Sequence, residues 1–480
     1  MKKPFYLTTT LPYVNAPLHL GHAVEIIRAD ALARIKKEEG FDVFFNTGTD
    51  EHGAKIAESA KKAGKEVQEY VDYYADLYKK TLEKFGVLKE GEGIHYIRTT
   101  DPHHTKAAGE FWKRCNENGY IYKKNYEAKY CVGCEEEKTD SELVDGKCPE
   151  HDRVPEIIKE ENYFFKFSAF SDILLKFYEE NPEFIVPCYR MNEMREFIKR
   201  GLQDFSISRL KSKMSWGIPV PGDEDHVMYV WFDALVNYIS TLGWPEDEET
   251  FKKFWQEGTA TQYCGKNNTR FQGVMWQAML KAAGLPYTHK IVVDGFILGE
   301  GGIKMSKTLG NTIDPLEIVE EYGTDALRYF VLRDFHPFED TAVSREKLLE
   351  SYNANLANGI GNLTSRIMKM AEQNLTEKVE DFSVGENNAL KSAKENYDFQ
   401  RAMHEIWNEI GSLDKTIQTE EPFKLVNTDK EKAVELIKSL VKRLGGIGNM
   451  LSPFLPETSQ KILKCVSENK SPETPLFLRK

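Results

Sequence analysis

The chain has 480 residues, a length that suggests about three domains. Hydrophobic residues make up 41% of the sequence and only seven cysteines are present, which excludes an intrinsically disordered chain and a small disulfide scaffold. The net charge of −12 argues against a protein that coats nucleic acid, and the absence of a long apolar run or an apolar leader predicts a cytoplasmic protein without a membrane span.

The first segment of the chain is predicted to form a strand, a helix and a second strand. The apolar runs 5–7 and 43–45 are typical of buried strands, and apolar residues at helical spacing lie between them, with Gly40 placed to end the helix. This order implies a parallel sheet with a right-handed crossover, and ligands of such sheets bind at the carboxyl ends of the strands. The polar segments 19–22 and 47–52 are expected at those ends.

Residues 116–225 interrupt this pattern, because they contain four of the seven cysteines and several short aromatic runs. Alternation of helix and strand returns over residues 226–340. After that point strand signals vanish, and the apolar spacing over residues 433–444 predicts one face of a long amphipathic helix. The predicted fold is therefore α/β: a Rossmann-like parallel-sheet domain in two halves, 1–115 and 226–340, split by the insertion and followed by an all-α helix bundle over 341–480.

The first candidate site is the sequence His19-Leu20-Gly21-His22 at the start of the predicted helix. Two histidines three residues apart lie on nearly the same side of the first turn, and Gly21 allows a flat ring or a phosphate to approach the backbone. The N–H groups and the dipole at a helix N-terminus favour anions. The alternative interpretation is a pair of ordinary surface histidines, which the position directly after a strand and a proline-rich loop disfavours.

The second candidate site is the sequence Lys304-Met305-Ser306-Lys307-Thr308, which follows the glycine-rich stretch 299–302. Two lysines three residues apart on such a loop can close over a polyphosphate and neutralise charge that develops on it. A solvated basic turn is the alternative, but Met305 between the lysines is unusual for one.

The third candidate site is a metal knuckle within the insertion. Cys131 and Cys134 form one close pair and Cys148 and His151 another, with 13 residues between the pairs, a spacing that suits one tetrahedral zinc ion. Four protein ligands predict a closed, structural site; the alternative is a group of reduced cysteines with an incidental histidine. The remaining cysteines are isolated and are predicted to be buried free thiols: Cys115, Cys188, Cys264 and Cys465.

The histidine motif and the lysine motif together resemble the signatures of class I aminoacyl-tRNA synthetases. Four further segments, 11–15, 47–53, 216–221 and 229–235, are similar to the methionyl-tRNA synthetase family, and the resemblance extends through essentially the whole chain. It implies that the chain activates L-methionine with ATP, accompanied by Mg²⁺, to methionyl-adenylate and pyrophosphate. Methionine is then transferred to the 3′-terminal adenosine of initiator and elongator tRNA(Met).

The resemblance also implies a role for each domain and for particular residues. The two halves of the sheet form the catalytic domain, the insertion is the zinc-binding connective segment, and the helix bundle reads the anticodon. The catalytic residues are expected to be His19, His22, Lys304 and Lys307. The ATP-binding residues are expected to be His19, Gly21, His22, Asn267 and Lys307. The methionine-binding residues are expected to be Leu11, Tyr13, Asp50, Trp231, Ala234, Tyr238, Gln272 and Trp276. The anticodon-binding residues are expected to be Asn362, Arg366 and Phe423.

The chemistry of these residue types fits the roles. An apolar, unbranched amino acid needs aromatic walls, and a carboxylate such as Asp50 can bind its α-ammonium group. An amide at Asn362 and a guanidinium at Arg366, four residues apart on one helix face, can read the edges of unstacked bases. The alternatives are that the aromatic residues belong only to the core and that Asn362 is a helix-packing amide.

The sequence departs from the family pattern at three positions. Asn267 stands where the family has an aspartate associated with the ribose, and Gln272 where it has a histidine of the substrate pocket. Phe423 follows Pro422 where the family has a tryptophan that stacks on a base; phenylalanine can also stack, with a smaller face. Amides donate and accept hydrogen bonds but carry neither a charge nor an imidazole, so these positions leave the details of substrate contact open.

Two other functions remain as alternatives at this point. A leucyl or valyl enzyme of class I is disfavoured, because the insertion is too short to contain the editing domain that such enzymes usually have. A cysteinyl enzyme is disfavoured, because its zinc ligands are expected in the catalytic pocket and not in an insertion. A catalytically impaired tRNA-binding paralogue is suggested only by Asn267 and Gln272. Amino-acid-dependent exchange of pyrophosphate into ATP distinguishes all three, since we expect it with methionine alone. We also expect the protein to be a monomer.

Overall fold

The computed structural model of the protein describes residues 2–480 except 88–92, 135, 304, 306–311, 381 and 383–386. Contacts divide the chain into two compact units. The first consists of Met1–Leu18, Gly40–Lys80 and Leu88–Val293, and the second of His19–Glu39, Thr81–Val87 and Asp294–Lys480. The four domain ranges expected from the sequence stay a prediction.

The first unit is built on a parallel sheet, as predicted. Its strands, in chain order, are β1 (Pro4–Thr9), β2 (Asp42–Thr49), β3 (Ile94–Arg98), β4 (Ile185–Val186), β5 (Thr259–Gly265) and β6 (Lys290–Asp294), and they lie side by side in the order β3-β2-β1-β5-β6-β4. Phe5 of β1 is in register with Val43 of β2 and with Thr259 of β5. Strand β2 is longer than the predicted apolar run, because its polar end, Asn46 to Thr49, is also buried.

Strand β2 is fixed at its carboxyl end by a close approach to β3. A Cβ atom on Gly48 would lie 1.8 Å from the carbonyl oxygen of Ile97, so only glycine fits there. The segment that follows, beginning at Asp50, therefore leaves the sheet from a rigid strand end.

The insertion contributes two antiparallel sheets to the first unit. One contains Ile121–Cys131, Glu136–Lys138, Glu156–Phe165 and Phe205–Ser206, and the other Ser208–Leu210, Pro219–Val220 and Asp223–Met228. The α-helices that begin in this unit are Ala54–Lys62, Val67–Lys84, Pro102–Glu117, Ser171–Glu180, Cys188–Lys199, Val230–Ala234, Asn237–Ser240, Glu248–Phe251 and Trp276–Ala282. An aromatic core fills the unit, in which Phe111 stacks on Trp276 with ring centroids 5.5 Å apart.

The second unit is mainly helical. Its α-helices are Leu20–Glu38, Pro315–Tyr322, Thr324–Tyr329, Arg345–Ser351, Asn362–Asn374, Asn388–Glu395, Phe399–Glu420, Pro422–Leu425, Lys430–Leu451 and Pro456–Glu468. The predicted amphipathic helix is present and extends beyond 433–444 at both ends. The expectation that strands end by residue 340 was slightly wrong, because Thr341–Ala342 pairs in parallel with Ile297–Leu298.

Two buried arginines explain why the helix Leu20–Glu38 belongs to the second unit. Arg28 forms an ion pair of 2.9 Å with Asp294 and donates to the carbonyl oxygens of Val331 and Phe335. Arg328 pairs with Asp30 at 2.8 Å, so both arginines join this helix to later parts of the chain. A planar guanidinium with five donors suits such a junction of carboxylates and carbonyls. Within the described residues no helix is long and apolar enough to cross a membrane.

Candidate functional site

The histidine motif forms the N-terminus of the helix Leu20–Glu38. The ring of His19 accepts a hydrogen bond through Nδ1 from the Gly21 N–H at 3.1 Å, and the Nδ1 atom of His22 accepts one from the His19 N–H at 3.2 Å. The two rings stack with centroids 3.7 Å apart. This reciprocal capping fixes both imidazoles at the positive end of the helix dipole.

The same hydrogen bonds decide where the histidine protons lie. Because each Nδ1 atom accepts, a neutral ring carries its proton on Nε2, which is then a donor. Burial and the charge of His19 hold the pKa of His22 well below its usual value, so this ring is neutral at pH 7. The helix end thus presents His22 as a neutral donor of the kind that binds phosphate oxygens.

Three segments of the first unit bring together Tyr13, Asp50 and Trp231. The backbone of Tyr13 bridges to that of Asp50, whose N–H donates to the carbonyl oxygen of Pro12 at 3.0 Å. The edge of the Tyr13 ring faces Trp231, with centroids 6.5 Å apart, and Asp50 is only 3% exposed. A buried aspartate whose backbone pairs with that of an aromatic residue, which packs against a second ring, agrees with the pocket that the sequence predicts for an apolar amino acid.

Trp231 also borders a cavity of about 120 Å³. It stacks on Phe271 with centroids 4.0 Å apart, and the cavity walls include the guanidinium groups of Arg209 and Arg270. Arg209 is 5% exposed and lies over the ring of Tyr229 at 4.6 Å. Sequence reasoning assigned Arg209 no role; a cation in a short buried strand was the signal that could have found it.

The other predicted pocket residues lie on neighbouring elements of the first unit. Tyr238 and Trp276 contact each other edge to face with centroids 5.8 Å apart, and Trp276 is fully buried in the aromatic core. Gln272 is 1% exposed and donates to the Thr10 hydroxyl at 2.9 Å, next to Leu11 in the chain. An amide at this position therefore acts as a donor within the protein.

Three buried polar atoms of this group have no hydrogen-bond partner within the part of the chain that the structure describes: Trp231 Nε1, Gln272 Oε1 and Trp276 Nε1. Buried indole N–H and amide groups normally find partners, so these atoms are suited to a bound ligand. Ala234 is 6% exposed and Leu11 7%, and neither has a polar side chain to contribute.

Of the remaining candidates for nucleotide binding, the structure describes Asn267 but not the two lysines. Asn267 is exposed in a short helical turn, Lys266–Asn268, directly after the carboxyl end of β5. This is the end of a parallel strand where ligands bind. Lys304 and Lys307 lie outside the described residues, so their predicted roles rest on the sequence alone.

The metal-ligand candidates come together as predicted. Side-chain atoms of Cys131, Cys134, Cys148 and His151 all lie within 4.8 Å of one another. The Cys134 sulfur is 3.4 Å from that of Cys148 and 3.3 Å from Nδ1 of His151. Tetrahedral zinc bonds of about 2.0 to 2.3 Å place neighbouring ligand atoms roughly 3.5 to 3.8 Å apart, so the donor set fits one zinc ion.

The local backbone and acidity also suit metal binding. A Cβ atom on Gly133 would lie 2.5 Å from the His151 ring, so glycine between the first two cysteines makes room for the fourth ligand. Burial raises the pKa of Cys148, but hydrogen bonds from His151, Cys134 and the backbone outweigh it and lower the pKa to about 6. Burial and the hydrogen bond with Cys148 raise the pKa of Cys134, so within this pair Cys148 is the thiol that ionises first. Cys188, predicted to be buried, is exposed, because it begins a surface helix directly after Pro187.

Replacing Cys134 by serine should abolish stoichiometric zinc, because three ligands hold the ion far less tightly than four and structural zinc contributes apparent binding energies of about 10 to 16 kcal/mol. Metal analysis of the purified protein measures this. Cys188→Ser is the matched control and should retain one zinc per chain. Equal zinc content in both variants would contradict the assignment.

The predicted anticodon residues lie in the helical unit. Asn362 and Arg366 are one turn apart at the start of the helix Asn362–Asn374, and Arg366 pairs with Asp414 at 2.7 Å. Phe423 lies on the short helix Pro422–Leu425 and is 49% exposed. An exposed aromatic ring in a helix bundle offers a surface on which a base can stack.

Comparison with known proteins gives consistent matches. The family model described as "tRNA synthetases class I (M)" matches residues 5–154 and 141–368. The methionine–tRNA ligase of Caldanaerobacter subterraneus subsp. tengcongensis is 41% identical over 97% of this chain and 74% of its own length. That of Brucella suis biovar 1 is 38% identical over 96% of this chain and 91% of its own length.

A solved structure gives the same result. Mycobacterium tuberculosis methionyl-tRNA synthetase bound by methionyl-adenylate superposes with a TM-score of 0.89 at 34% identity, covering 98% of this chain and 98% of that chain.

Proposed function

Because the chain belongs to the methionyl-tRNA synthetases, a family of class I aminoacyl-tRNA synthetases, we propose which of its residues carry out the two steps of the family's reaction. The chain is a ligase that activates L-methionine with ATP and charges methionine tRNA. The observation that supports the residue assignment is the buried Asp50, whose backbone bridges to that of Tyr13, a residue whose ring in turn packs against Trp231.

In the first step the carboxylate oxygen of methionine attacks the α-phosphorus of ATP. The new bond is between that oxygen and phosphorus, the bond to the β-phosphate bridging oxygen breaks, and pyrophosphate leaves with its electron pair. The nucleophile is supplied by the substrate, so catalysis consists of positioning and of stabilising the charge that develops on phosphate oxygens.

His19 and His22 are the proposed donors to the phosphates. Their stacked rings, both capped through Nδ1, offer Nε2 protons at a helix N-terminus where Gly21 leaves the backbone accessible. A neutral donor can stabilise charge that develops on a phosphate oxygen in the transition state. It binds the triphosphate of the ground state less tightly than a fixed cation would.

Lys304 and Lys307 are the proposed partners of the leaving pyrophosphate, with Lys307 the more important. ATP enters as its Mg²⁺ complex, and Asn267, directly after the carboxyl end of β5, contributes a neutral amide that can hydrogen-bond the ribose where the family has an aspartate.

The methionine pocket is proposed to use Asp50 for the α-ammonium group and the rings of Tyr13 and Trp231 as walls. Leu11, Ala234, Tyr238 and Trp276 supply the apolar remainder, and Gln272 closes it with its amide. The buried polar atoms of Trp231, Gln272 and Trp276 that have no partner among the described residues support a ligand at this position.

In the second step a ribose hydroxyl of the terminal adenosine of tRNA(Met) attacks the carbonyl carbon of the adenylate, and AMP leaves. Selection of that tRNA is proposed to depend on Asn362, Arg366 and Phe423 in the helical unit. The zinc knuckle is proposed to hold the insertion in its fold, since all four ligands come from the protein.

Replacing Arg366 by alanine should lower kcat/KM for tRNA(Met) in aminoacylation about 5- to 150-fold, because a guanidinium contact to a base edge is worth about 1 to 3 kcal/mol. Methionine-dependent pyrophosphate exchange should not change, since that step needs no tRNA. The matched control is Arg443→Ala, which removes an arginine paired with Glu409 on the same long helix that carries Asp414. An unchanged kcat/KM for tRNA in the Arg366 variant would refute its role.

Methionine-dependent exchange of labelled pyrophosphate into ATP tests the function as a whole. We expect exchange with methionine and none with leucine, valine or cysteine. Exchange driven by another amino acid would establish a different class I enzyme, and no exchange with any amino acid would establish a tRNA-binding protein without catalysis.

A further inference from the structure

A buried polar network lies directly behind the proposed methionine pocket. The carboxylate of Asp233 accepts a hydrogen bond from Nδ1 of His52 at 2.7 Å and another from Nε2 of His104 at 2.8 Å. The remaining ring nitrogen of His104 lies 2.8 Å from the Ser240 hydroxyl. Asp233 and His104 are 0% exposed and His52 7%, so the network is almost free of solvent.

Among the described residues, no lysine or arginine pairs with Asp233, and its carboxylate is held by the two histidines. Burial raises the pKa of Asp233, but its interactions with His52 and His104 outweigh this and leave the pKa below its usual value. Asp233 is therefore an anion that accepts from two imidazole N–H groups. A buried charge of this kind is costly unless every hydrogen bond is made, so the geometry around it is tightly specified.

Each partner of Asp233 leads to a different element of the proposed pocket. His52 lies two residues after Asp50, in a segment held on its other side by Trp216, whose indole donates to the Glu51 carbonyl at 2.6 Å. Asp233 itself lies between Trp231 and Ala234 on one short helix.

The far end of the network reaches a further pocket element. Through Ser240, His104 contacts the helix Asn237–Ser240, which carries Tyr238. The carboxylate thus joins the ammonium-binding segment to both wall-bearing helices.

We propose that Asp233 is a positioning residue that holds the segment of Asp50 at a set distance from the helix of Trp231, and so determines affinity for methionine. The inference rests on the proposed pocket and goes beyond it, because Asp233 contacts no substrate. Its effect is selective: the ATP-binding elements have no hydrogen bond from Asp233, His52 or His104 among the described residues.

Asparagine and alanine at position 233 separate positioning from bulk stability. Asparagine can accept a hydrogen bond from His52 through its side-chain oxygen and donate one to Nε2 of His104 through its NH₂ group. For this, His104 has to carry its proton on Nδ1, where the Ser240 hydroxyl can accept it. Alanine removes both bonds and leaves one nitrogen of each buried imidazole without its hydrogen-bond acceptor, while His104 keeps its contact with Ser240.

Steady-state pyrophosphate exchange by purified, folded variants is the test. Asp233→Ala should lower kcat/KM for methionine about 10²-fold, mainly through KM, since a misplacement of about 1 Å in a binding group has an effect of that size. KM for ATP should not change, and Asp233→Asn should recover most of the loss. Asp223→Asn is the matched control, a carboxylate bonded to Lys123, Tyr163 and His226 in the insertion, and should leave both KM values unchanged.

A wild-type KM for methionine in folded Asp233→Ala would overturn the inference, as would equal increases in both KM values. If this variant does not fold, His52→Ala tests the proposal instead, because it removes only the hydrogen bond between Asp233 and the Asp50 segment. A raised KM for methionine in His52→Ala supports the proposal, and an unchanged KM overturns it. Absence of methionine-dependent exchange in the unmodified protein would instead show that the proposed function is wrong.

Discussion

Adenylate formation should fall about 10²- to 10³-fold in His22→Ala, which is the usual effect of removing one donor to a transition-state oxygen. The physical reason is that the Nδ1 atom of His22 is occupied by the His19 N–H, so its Nε2 proton is directed to the ligand side. Rapid-quench measurement of single-turnover methionyl-adenylate formation gives the rate. Binding of methionine alone should be unaffected, because the pocket residues are unchanged.

The same substitution also removes one of the two hydrogen bonds of the capping box at the start of the helix Leu20–Glu38, which lowers the stability of the protein. Thermal unfolding therefore has to be measured for the same variant. The decrease in the rate of adenylate formation should be larger than the fraction of unfolded protein can explain. His103→Ala, an exposed histidine on the helix Pro102–Glu117, is the control and should keep the original rate. A wild-type rate in folded His22→Ala would exclude this histidine from catalysis.

The second large effect is expected for Asp50→Ala, which should raise KM for methionine about 10- to 150-fold. A hydrogen bond to a charged group contributes about 1.5 to 3 kcal/mol, and the variant leaves the α-ammonium group without its carboxylate partner. Pyrophosphate exchange at varied methionine concentration measures the change. KM for ATP should stay the same, since Asp50 is assigned no contact with the nucleotide.

Asp42→Ala provides a matched carboxylate deletion at the opposite end of β2, where Asp42 pairs with Lys253 at 2.6 Å. Its KM for methionine should equal that of the unmodified protein. If the two variants have the same KM, Asp50 does not bind the ammonium group and the pocket has to be placed elsewhere.

Local patterns in the sequence predicted much of the fold. The apolar runs of β1 and β2 and the helix between them were all confirmed. Such features depend on a few neighbouring residues, so their spacing is visible in one sequence. The cluster of three cysteines and one histidine that could hold a metal ion was equally accessible, because two close ligand pairs suffice to define it.

Motifs in the sequence were also enough to indicate the family, and with it the reaction. What only the tertiary structure decided is how distant segments meet. His52, His104 and Asp233 lie far apart in the chain and touch because three elements pack on one sheet end. Arg209 likewise gains its position over Tyr229 only from sheet packing. Contacts between residues that are remote in sequence depend on how whole helices and strands pack together. A local sequence pattern therefore does not predict them.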